Sequence, residues 1–516
     1  MVHSRRQSSG GIAGTVLLIC VLGSGCYSTP DAADRTETDT GNGGADVPAP
    51  DVGPDTDAPD TDLADTGVDV EPGDADTGAD VEDAGRDVPG DDTDADVEEP
   101  DAPEGFTRYF QEQALSPITP AVAGEMRAIR AASDTPDDLV FMKVGASGTV
   151  SQNLLYCFSG GEQYDIVWDG RDVYQDTVEF FRMGDAAGAT PFDRPTEAAV
   201  VGRTASWAIG GNPSPLEREI DAINPRFAFV NYGTNDMQQG TTHRSALYPF
   251  YENFTELLDQ LIAQGIIPIL TGLNPRSDRV TAARWVPTYT TVVRGVAEGL
   301  QIPFIDIYLL SQDLPGLGLL GDGLHGNVYR TDGRAQGCVF DDAGLEFNYN
   351  HRNLLSIEAL HHVRRTVLED APAPDSRGLP ALAGDGSAAA PYVIDGLPFT
   401  HVANTTGLPS AWDRYPACDN DQDESGGEQV YRLELDGPTP VRIGVLDRGA
   451  TDVDLHVLSG PNAEDCFYRS DKYFEGTLEA GTYHISVDTY VSNGNARAGE
   501  YLLFVLVCED DDPDCR

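Results

Sequence analysis

The sequence predicts an α/β domain followed by an all-β domain, both preceded by a long segment that does not fold. Between residues 139 and 307, short apolar runs alternate with amphipathic helical stretches. This alternation is typical of a parallel sheet with helices on both faces. After residue 414, apolar and polar side chains alternate with a period of two, which is typical of sandwich strands. At 516 residues the chain is long enough for two cores.

The α/β prediction depends on five apolar runs that indicate buried strands. These predicted strands cover residues 139–144, 198–201, 227–231, 266–270 and 303–307. Helices are predicted over residues 251–264 and 289–300, and in the first of these Phe254, Leu258 and Leu261 recur at three- and four-residue spacing. In sheets of this class the functional residues gather in the loops that follow the carboxyl ends of the strands.

The all-β prediction depends on five runs in the last part of the chain. These predicted strands cover residues 430–435, 441–445, 455–458, 483–487 and 501–505. We place the α/β domain at residues 105–370, a linker rich in Pro, Ala and Gly at 371–414, and the sandwich at 415–516. The alternating carboxylates of Asp419, Asp421 and Asp423 are compatible with calcium binding, but a solvated acidic loop is the preferred interpretation.

The formal net charge of -53 is concentrated at the amino-terminal side of the chain. Residues 30–104 contain 27 acidic and two basic side chains, so residues 27–104 are predicted to be a disordered, extended tether. Binding to nucleic acid depends on Lys and Arg contacts to phosphates. Such an acidic chain is therefore not expected to bind nucleic acid, nor to attach electrostatically to anionic lipid.

The first 26 residues are predicted to be an export signal. Arg5 and Arg6 precede an apolar run at residues 12–22, which is too short for a transmembrane helix and is followed by small residues and Cys26. This arrangement resembles a bacterial lipoprotein signal, which implies that Cys26 is lipidated after cleavage. The expected location is the cell envelope, at the outer membrane or cell surface, with the lipid anchor as the only membrane contact.

Cysteine usage is consistent with export. Excluding Cys20 in the signal and Cys26, six cysteines remain: Cys157, Cys338, Cys418, Cys466, Cys508 and Cys515. An even number in an oxidising compartment predicts disulfides, and Cys157 with Cys338 is the natural pair in the α/β domain. The sequence leaves three possible connectivities for the last four cysteines.

Three predicted loops contain residues suited to acyl transfer. Ser147 follows the first strand, Asn235 follows the third within a Gly-Thr-Asn-Asp run, and an Asp-Gly-Leu-His run at 322–325 follows the fifth. A serine supplies an oxygen nucleophile, a histidine transfers its proton, and an aspartate orients the imidazole. An asparagine amide stabilises a tetrahedral oxyanion. The alternative elbow motif Gly-x-Ser-x-Gly is disfavoured because Thr149 replaces its last glycine.

Residues 138–368 closely resemble the SGNH, or GDSL-type, hydrolase family on these motifs. The resemblance implies a three-layer, flavodoxin-like α/β fold and a catalytic Ser147, Asp322 and His325. It also implies an oxyanion hole formed by Asn235 and a backbone N–H after the second strand. Gly202 is the candidate for that N–H, with Ala205 as the alternative. Ala146 departs from the pattern, because the family usually has an aspartate before the serine.

The resemblance implies an esterase that needs no metal or other cofactor. Its substrate would be an acylated lipid or an O-acetylated glycan, and a neutral ester is favoured over a polyanion. The alternative from another class is an inactive surface lipoprotein with a carbohydrate-binding or adhesive role. Separately, the runs at 452–455 and 478–483 are similar to the bacterial pre-peptidase C-terminal domain, an accessory module, over residues 415–508.

Overall fold

The computed structural model describes residues 105–161, 165–418, 422–509 and 511–516. The predicted signal with Cys26 and the acidic tether lie outside the described residues, as do Asp419 and Asp421. Within the described ranges, no helix is both long and apolar enough to span a bilayer.

The α/β domain contains most of the helices. The α-helices are α1 (Pro120–Ala131), α2 (Ser147–Val150), α3 (Gln175–Arg182), α4 (Ala205–Ala208), α5 (Pro215–Ile223), α6 (His243–Ile262), α7 (Val280–Ala283), α8 (Val286–Gly299), α9 (Ile307–Gln312) and α10 (Asn348–Val363), the last continued by a π-helical turn (Arg364–Leu368). Short 3-10 turns cover Tyr156–Phe158, Asp172–Tyr174, Asp236–Gln238, Pro315–Gly318, Gly344–Glu346, Pro416–Cys418, Ala463–Asp465 and Pro513–Cys515.

The first four strands pair in parallel, and the later strands pair antiparallel apart from one short parallel pair. They are β1 (Asp137–Gly145), β2 (Pro225–Asn231), β3 (Ile267–Thr271), β4 (Phe304–Ile305), β5 (Arg330–Thr331), β6 (Arg334–Ala335), β7 (Tyr392–Val393), β8 (Phe399–Asn404), β9 (Glu428–Leu435), β10 (Thr439–Asp447), β11 (Val453–Leu458), β12 (Cys466–Ser470), β13 (Tyr473–Leu478), β14 (Gly481–Thr489), β15 (Val491–Ser492), β16 (Asn495–Ala496) and β17 (Glu500–Val507).

Local sequence signals explain where the main helices begin. Thr242 caps α6 by accepting a hydrogen bond from the Ser245 N–H, and Ser214 forms a capping box with Glu217 at the start of α5. Asn224 ends α5 in the left-handed conformation, with φ 46°. Helices α5 and α6 flank β2 in the chain, and the loop between β2 and α6 lies at the carboxyl edge of the sheet because it follows the end of β2.

The central sheet has the order β1-β2-β3-β4, and every neighbouring pair is parallel. The predicted α/β fold with helices around a parallel sheet is confirmed. The predicted strand at 198–201 is reduced to one parallel bridge between Ala199 and Gly145. Val200 and Val201 are exposed, and Gly202 turns the chain with φ +77°, so this segment leaves the sheet edge at once.

The carboxy-terminal region is the predicted β-sandwich. One sheet has the order β13-β10-β17-β8 and the other β12-β11-β14-β9-β7. Two of these strands, β7 and β8, lie within residues 371–414, which the sequence indicated as a linker. The reason is burial: Phe399 in β8 is fully buried, and β8 pairs antiparallel with β17 along the sheet edge.

The sandwich shares a core with the α/β domain. The apolar cluster of the α/β domain continues into Leu446, Leu502 and Phe504 of the sandwich. Helix α8 packs closely on β8 and β17 because it presents glycines to them. A Cβ on Gly295 would lie 2.7 Å from Leu502 Cδ1, and one on Gly299 would lie 2.5 Å from Val402 Cγ2.

A buried arginine network joins the same two domains. Arg442 in β10 is fully buried, and its Cζ lies 3.6 Å from the centre of the Trp285 ring. Its Nη1 donates to Thr288 Oγ1 at 2.8 Å. Its charge is balanced by Glu475 at 2.6 Å and Asp512 at 2.9 Å. Every nitrogen of the guanidinium therefore has a partner, as a buried cation requires.

Three disulfides form within the described residues: Cys157–Cys338, Cys418–Cys466 and Cys508–Cys515. The predicted pairing in the α/β domain is confirmed. For the last four cysteines, the structure selects one of the three connectivities that the sequence left open.

Candidate active site

Ser147 lies where β1 ends and α2 begins. The turn is tight: a Cβ on Gly145 would lie 2.2 Å from Thr149 Oγ1 and 2.7 Å from the Asn231 carbonyl oxygen. Only glycine fits there, so the chain can pass β2 and present Ser147 at the sheet edge. Ala146, which replaces the usual aspartate, is nearly buried and does not displace this turn.

Ser147, His325 and Asp322 form a continuous hydrogen-bonded chain. His325 Nε2 lies 2.9 Å from Ser147 Oγ, and His325 Nδ1 lies 2.7 Å from Asp322 Oδ2. The side chains of His325 and Asp322 are 36% and 49% exposed, so the site opens to solvent. The structure therefore brings together the three residues that the motifs assigned to acyl transfer.

The loop that contains Asp322 orders its own carboxylate. Asp322 Oδ1 accepts hydrogen bonds from the backbone N–H groups of Leu324 and His325, each at 3.0 Å. The backbone N–H and the imidazole of His325, followed by the Leu324 N–H, lower the pKa of Asp322 to about 2. Asp322 is consequently a carboxylate near neutral pH, where it can accept a proton-bearing Nδ1 of His325.

Of the predicted oxyanion donors, Asn235 lines the Ser147 cavity and Gly202 does not. Asn235 lines the cavity beside Ser147, and its Nδ2 donates one hydrogen bond to the Arg203 carbonyl at 3.0 Å. Gly202 is exposed and is not among the described residues that line this cavity. The Ala205 N–H donates to Asp236 Oδ1 at 2.8 Å, which leaves it unavailable for a ligand.

Asp236 is a positioning residue that the sequence did not single out. It is 4% exposed, and its two carboxylate oxygens accept the N–H groups of Ala205 at 2.8 Å and Gly233 at 2.9 Å. It thereby ties the loop after Ala199 to the loop that contains Asn235. Burial raises the pKa of Asp236 to about 6, against the opposing effect of the Ala205 and Gly233 N–H groups. The sequence signal that could have pointed to Asp236 is its position next to Asn235 in the Gly-Thr-Asn-Asp run.

Helix α10 supports the turn of Ser147 from behind. Tyr349 donates its hydroxyl hydrogen bond to the Gly148 carbonyl at 3.1 Å. Arg352 is 2% exposed, and its Nη1 would lie 3.4 Å from a Cβ on Gly148. No sequence pattern pointed to either residue, because their relevance depends on a contact between chain segments about 200 residues apart.

The cavity at Ser147 is small and polar. Its interior space is about 20 Å³, which is close to the room that one water-sized group needs. Besides the residues named above, Asn231, Asn274 and Leu324 line it. Asn231 is held by hydrogen bonds from its Nδ2 to the carbonyls of Thr271 and Gly272, at 3.3 and 2.9 Å. Rigid polar walls of this kind suit a compact substrate group.

The described residues include one grouping with potential metal ligands, Cys508, Asp512 and Cys515. The two sulfurs are joined in a disulfide, and Asp512 pairs with Arg442. Neither sulfur can act as a thiolate ligand in this state. The grouping is also separate from the residues that line the Ser147 cavity.

Residues 182–329 match the model of the GDSL-like Lipase/Acylhydrolase family. The matched segment includes Asn235, Asp322 and His325 and begins after Ser147. No protein in the curated set matches the chain.

Solved structures with similarity to the chain include three of interest. A GDSL-like lipase from Bacteroides thetaiotaomicron is 14% identical, with 46% of this chain and 98% of that chain covered and a TM-score of 0.28. A catalytic mutant of Axe2, an acetylxylan esterase from Geobacillus stearothermophilus, is 13% identical, with coverages of 43% and 93% and a TM-score of 0.28. The pre-peptidase C-terminal domain of a Bacillus anthracis collagenase is 16% identical, with coverages of 22% and 91% and a TM-score of 0.16.

At such identities and TM-scores, these structures carry no argument about the substrate of this chain. The family match lies in the α/β domain and contains two of the three motifs from which the resemblance was drawn. The predicted relationship to GDSL-like acylhydrolases, and with it the prediction of a hydrolase that acts on ester bonds, is confirmed for this part of the chain.

Proposed function

We propose that this protein is a serine esterase in which Ser147 is the nucleophile, His325 the general base and acid, and Asp322 the residue that orients His325. The observation that carries the proposal is the unbroken hydrogen-bonded chain from Ser147 Oγ through both imidazole nitrogens to Asp322. Because Asp322 accepts from Nδ1, Nε2 is left as the acceptor for the serine hydroxyl.

The first half-reaction transfers the acyl group to the enzyme. Ser147 Oγ attacks the ester carbonyl while its proton passes to His325 Nε2, which gives a tetrahedral oxyanion. As this intermediate collapses, the carbon–oxygen bond to the alcohol breaks, and the alcohol leaves with the proton from His325. In the second half-reaction water attacks the acyl-enzyme with His325 as base, and the products are the carboxylic acid and free Ser147.

The oxyanion is proposed to bind Asn235 and the backbone N–H of Ser147. An amide nitrogen carries two hydrogens, and Asn235 uses one of them for the Arg203 carbonyl, so the other is available to a ligand. Ser147 is the first residue of α2, where backbone N–H groups lack intrahelical acceptors. The structure offers no support for either backbone donor considered after the second predicted strand, since the Ala205 N–H is engaged by Asp236 and Gly202 does not line the cavity.

The acyl group is proposed to be acetyl or similarly short. The space at Ser147 is about 20 Å³ and its lining is largely amide and hydroxyl groups, which do not favour an alkyl chain. An O-acetyl ester fits this cavity better than a lipid ester does. The alcohol part would extend away from the cavity.

The test is hydrolysis of nitrophenyl acetate, butyrate and octanoate by the full-length protein and by a Ser147→Ala variant. We expect Ser147→Ala to lose about 10⁴–10⁶-fold in kcat, with Ser159→Ala as a matched control at a serine that does not line the cavity. Acetate should exceed octanoate in kcat/KM by at least about tenfold. Equal rates in the wild type and Ser147→Ala would overturn the esterase and favour the inactive lipoprotein.

We also propose that the enzyme is exported and anchored through Cys26 in the cell envelope, with residues 27–104 as a spacer. The support is the signal-like sequence before Cys26 and the acidic composition after it. Incorporation of a labelled fatty acid into the wild type, but not into Cys26→Ser, is the expected result. Equal labelling of both proteins would contradict this anchor.

A further inference from the structure

A polar groove lies at the junction between the α/β domain and the sandwich. It has a volume of about 420 Å³, which falls in the range of small-molecule sites. We call it the junction groove, and six of its lining residues matter here: Gln238, Thr241, Thr281, Arg279, Arg284 and Asp514. A second cavity of about 510 Å³ adjoins it and shares Thr242 and Asp514 with it, so the depression continues along the junction.

The junction groove and the Ser147 cavity are formed by the same two loops. In the loop after β2, Asp236 lines the Ser147 cavity, and Gln238, two residues later, lines the groove. In the loop after β3, Asn274 lines the cavity and Arg279 lines the groove. Arg279 Nη1 donates to Gln238 Oε1 at 3.2 Å, which joins the two loops at the groove. The same two loops thus contribute residues to the cavity and to the groove.

The groove presents hydrogen-bonding groups of both kinds. Gln238, Thr241 and Thr281 are exposed and supply amide and hydroxyl groups that both donate and accept. The charges are mixed, because Arg284 is paired with Asp511 at 2.8 Å and Arg279 faces a groove that also contains Asp514. Such a lining suits a ligand rich in hydroxyl groups and without net charge.

The sandwich side of the groove is held in place by the buried network described above. Asp512, which also lines the groove, is 2% exposed and pairs with Arg442 at 2.9 Å. Trp285 lies under the same arginine and forms part of the groove floor. The groove is therefore formed before a ligand arrives, which lowers the ordering cost of binding.

We propose that the junction groove binds a neutral oligosaccharide, the alcohol part of an acetylated glycan. The inference that a glycan binds here is argued from the groove alone. The inference that the bound glycan positions its ester at Ser147 rests on the proposed function. The Ser147 cavity has room for little more than the acyl group, so the glycan needs a separate surface, and both domains contribute to it. The sandwich is thus part of the substrate-binding surface.

The experiment is isothermal titration of full-length Ser147→Ala protein with hexaoses of xylose, mannose, glucose and N-acetylglucosamine, none of which carries an O-acetyl ester. We expect at least one of the four to bind. Gln238→Ala and Arg279→Ala should each weaken its binding about fivefold, the effect of one lost hydrogen bond. Arg218→Ala removes a comparable exposed arginine that pairs with Glu197 at 2.8 Å and does not line the groove, and it should leave binding unchanged.

Absence of binding by all four sugars, or binding that the two groove variants leave unchanged, would overturn the proposal. The sugars carry no ester and the protein lacks its nucleophile, so this result is independent of hydrolysis. A protein that binds a hexaose but cleaves no ester would keep the groove assignment and lose the esterase. A protein that cleaves nitrophenyl acetate but binds no hexaose would keep the esterase and lose the groove assignment.

Discussion

The hydrogen-bonded chain at Ser147 and the arginine network at the domain junction both contain charged side chains, but they differ in exposure. Asp322 and His325 are 49% and 36% exposed, whereas Arg442 and its partners Glu475 and Asp512 are 0%, 6% and 1% exposed. In water a charge is solvated whether or not its partner is present. In the interior an unpaired charge is costly.

Because of this difference in exposure, we expect the two clusters to contribute to different properties of the protein, one to reaction rate and the other to stability. The exposed chain remains accessible to an ester, so its geometry serves chemistry and adds little to the stability of the fold. The buried network is closed to substrate and holds the two domains in one arrangement. Variants of the first should change rate without changing stability, and variants of the second should do the opposite.

The largest expected effect is on rate, from Asp322→Asn. Loss of the carboxylate removes the charge that stabilises the imidazolium and the preference for a proton on Nδ1, so kcat for nitrophenyl acetate should fall about 10³–10⁴-fold. The melting temperature should stay close to that of the wild type, because Asp322 is half exposed.

The matched control for this variant is Asp332→Asn, at an exposed aspartate in the turn between β5 and β6. It should change neither kcat nor the melting temperature. A large loss of stability in Asp322→Asn, or an unchanged kcat, would remove the distinction between the two clusters.

The next effect is on stability, from Arg442→Met. The substitution leaves Glu475 and Asp512 buried without their cation, so the free energy of unfolding should fall by about 3–5 kcal/mol in urea titrations. Because none of the partners of Arg442 lines the Ser147 cavity, kcat of the folded variant for nitrophenyl acetate should remain within about twofold of the wild-type value.

Arg432→Met provides the comparison within the same domain, since Arg432 is 41% exposed and pairs with Glu434 at 3.4 Å. Its effect should be within about 0.5 kcal/mol. Adding Glu475→Gln and Asp512→Asn to Arg442→Met should recover part of the lost stability. If the free energy of unfolding of Arg442→Met equalled that of the wild type, the arginine network would not stabilise the domain junction.

The smallest effect concerns pH and Glu298 in α8, which is buried against the sandwich and accepts a hydrogen bond from Thr400 Oγ1 at 3.0 Å. Burial raises the pKa of Glu298 to about 7, although Arg294 and Thr400 act in the opposite direction. Between about pH 4.5 and 7 the folded state holds the proton more tightly than the unfolded state. The contribution of Glu298 to stability therefore falls as pH rises through this window.

Between pH 5 and pH 8 the melting temperature of Glu298→Gln should decrease less than that of the wild type. We expect the two decreases to differ by a few degrees. Thermal unfolding followed by circular dichroism at several pH values measures this. Glu256→Gln, at an exposed position of α6, should follow the wild-type curve. Parallel curves for Glu298→Gln and the wild type would show that another group controls the pH dependence.

Much of the α/β domain was predictable because its signals are local. Apolar runs marked four strands of the sheet, and Ser147, Asn235, Asp322 and His325 each follow a predicted strand within a short motif. Parallel strands end at one edge, so order along the chain was enough to bring these residues together. Only the structure, however, gives the distances between the side chains of Ser147, His325 and Asp322.

The features that the sequence did not reveal depend on contacts between distant segments. Residues 198–201 have the apolar character of a strand, but only Ala199 pairs, because the chain turns at Gly202. Strand β8 lies in a region whose composition is typical of a linker, and its pairing with β17 is set by the sandwich. The role of Tyr349 arises only when helix α10 meets the turn of Ser147, and that of Asp236 only when two loops meet.

The disulfide Cys157–Cys338 has a consequence for how the hydrogen bond between Ser147 and His325 is maintained. Ser147 lies shortly before Cys157, and His325 shortly before Cys338, while the two cysteines are 181 residues apart in sequence. Closing so long a loop covalently removes much of the freedom that the unfolded chain would have, by the equivalent of about 5 kcal/mol in the chain-entropy description. The bond therefore shifts the folding equilibrium towards the state in which Ser147 and His325 face one another, and a reductant should shift it back.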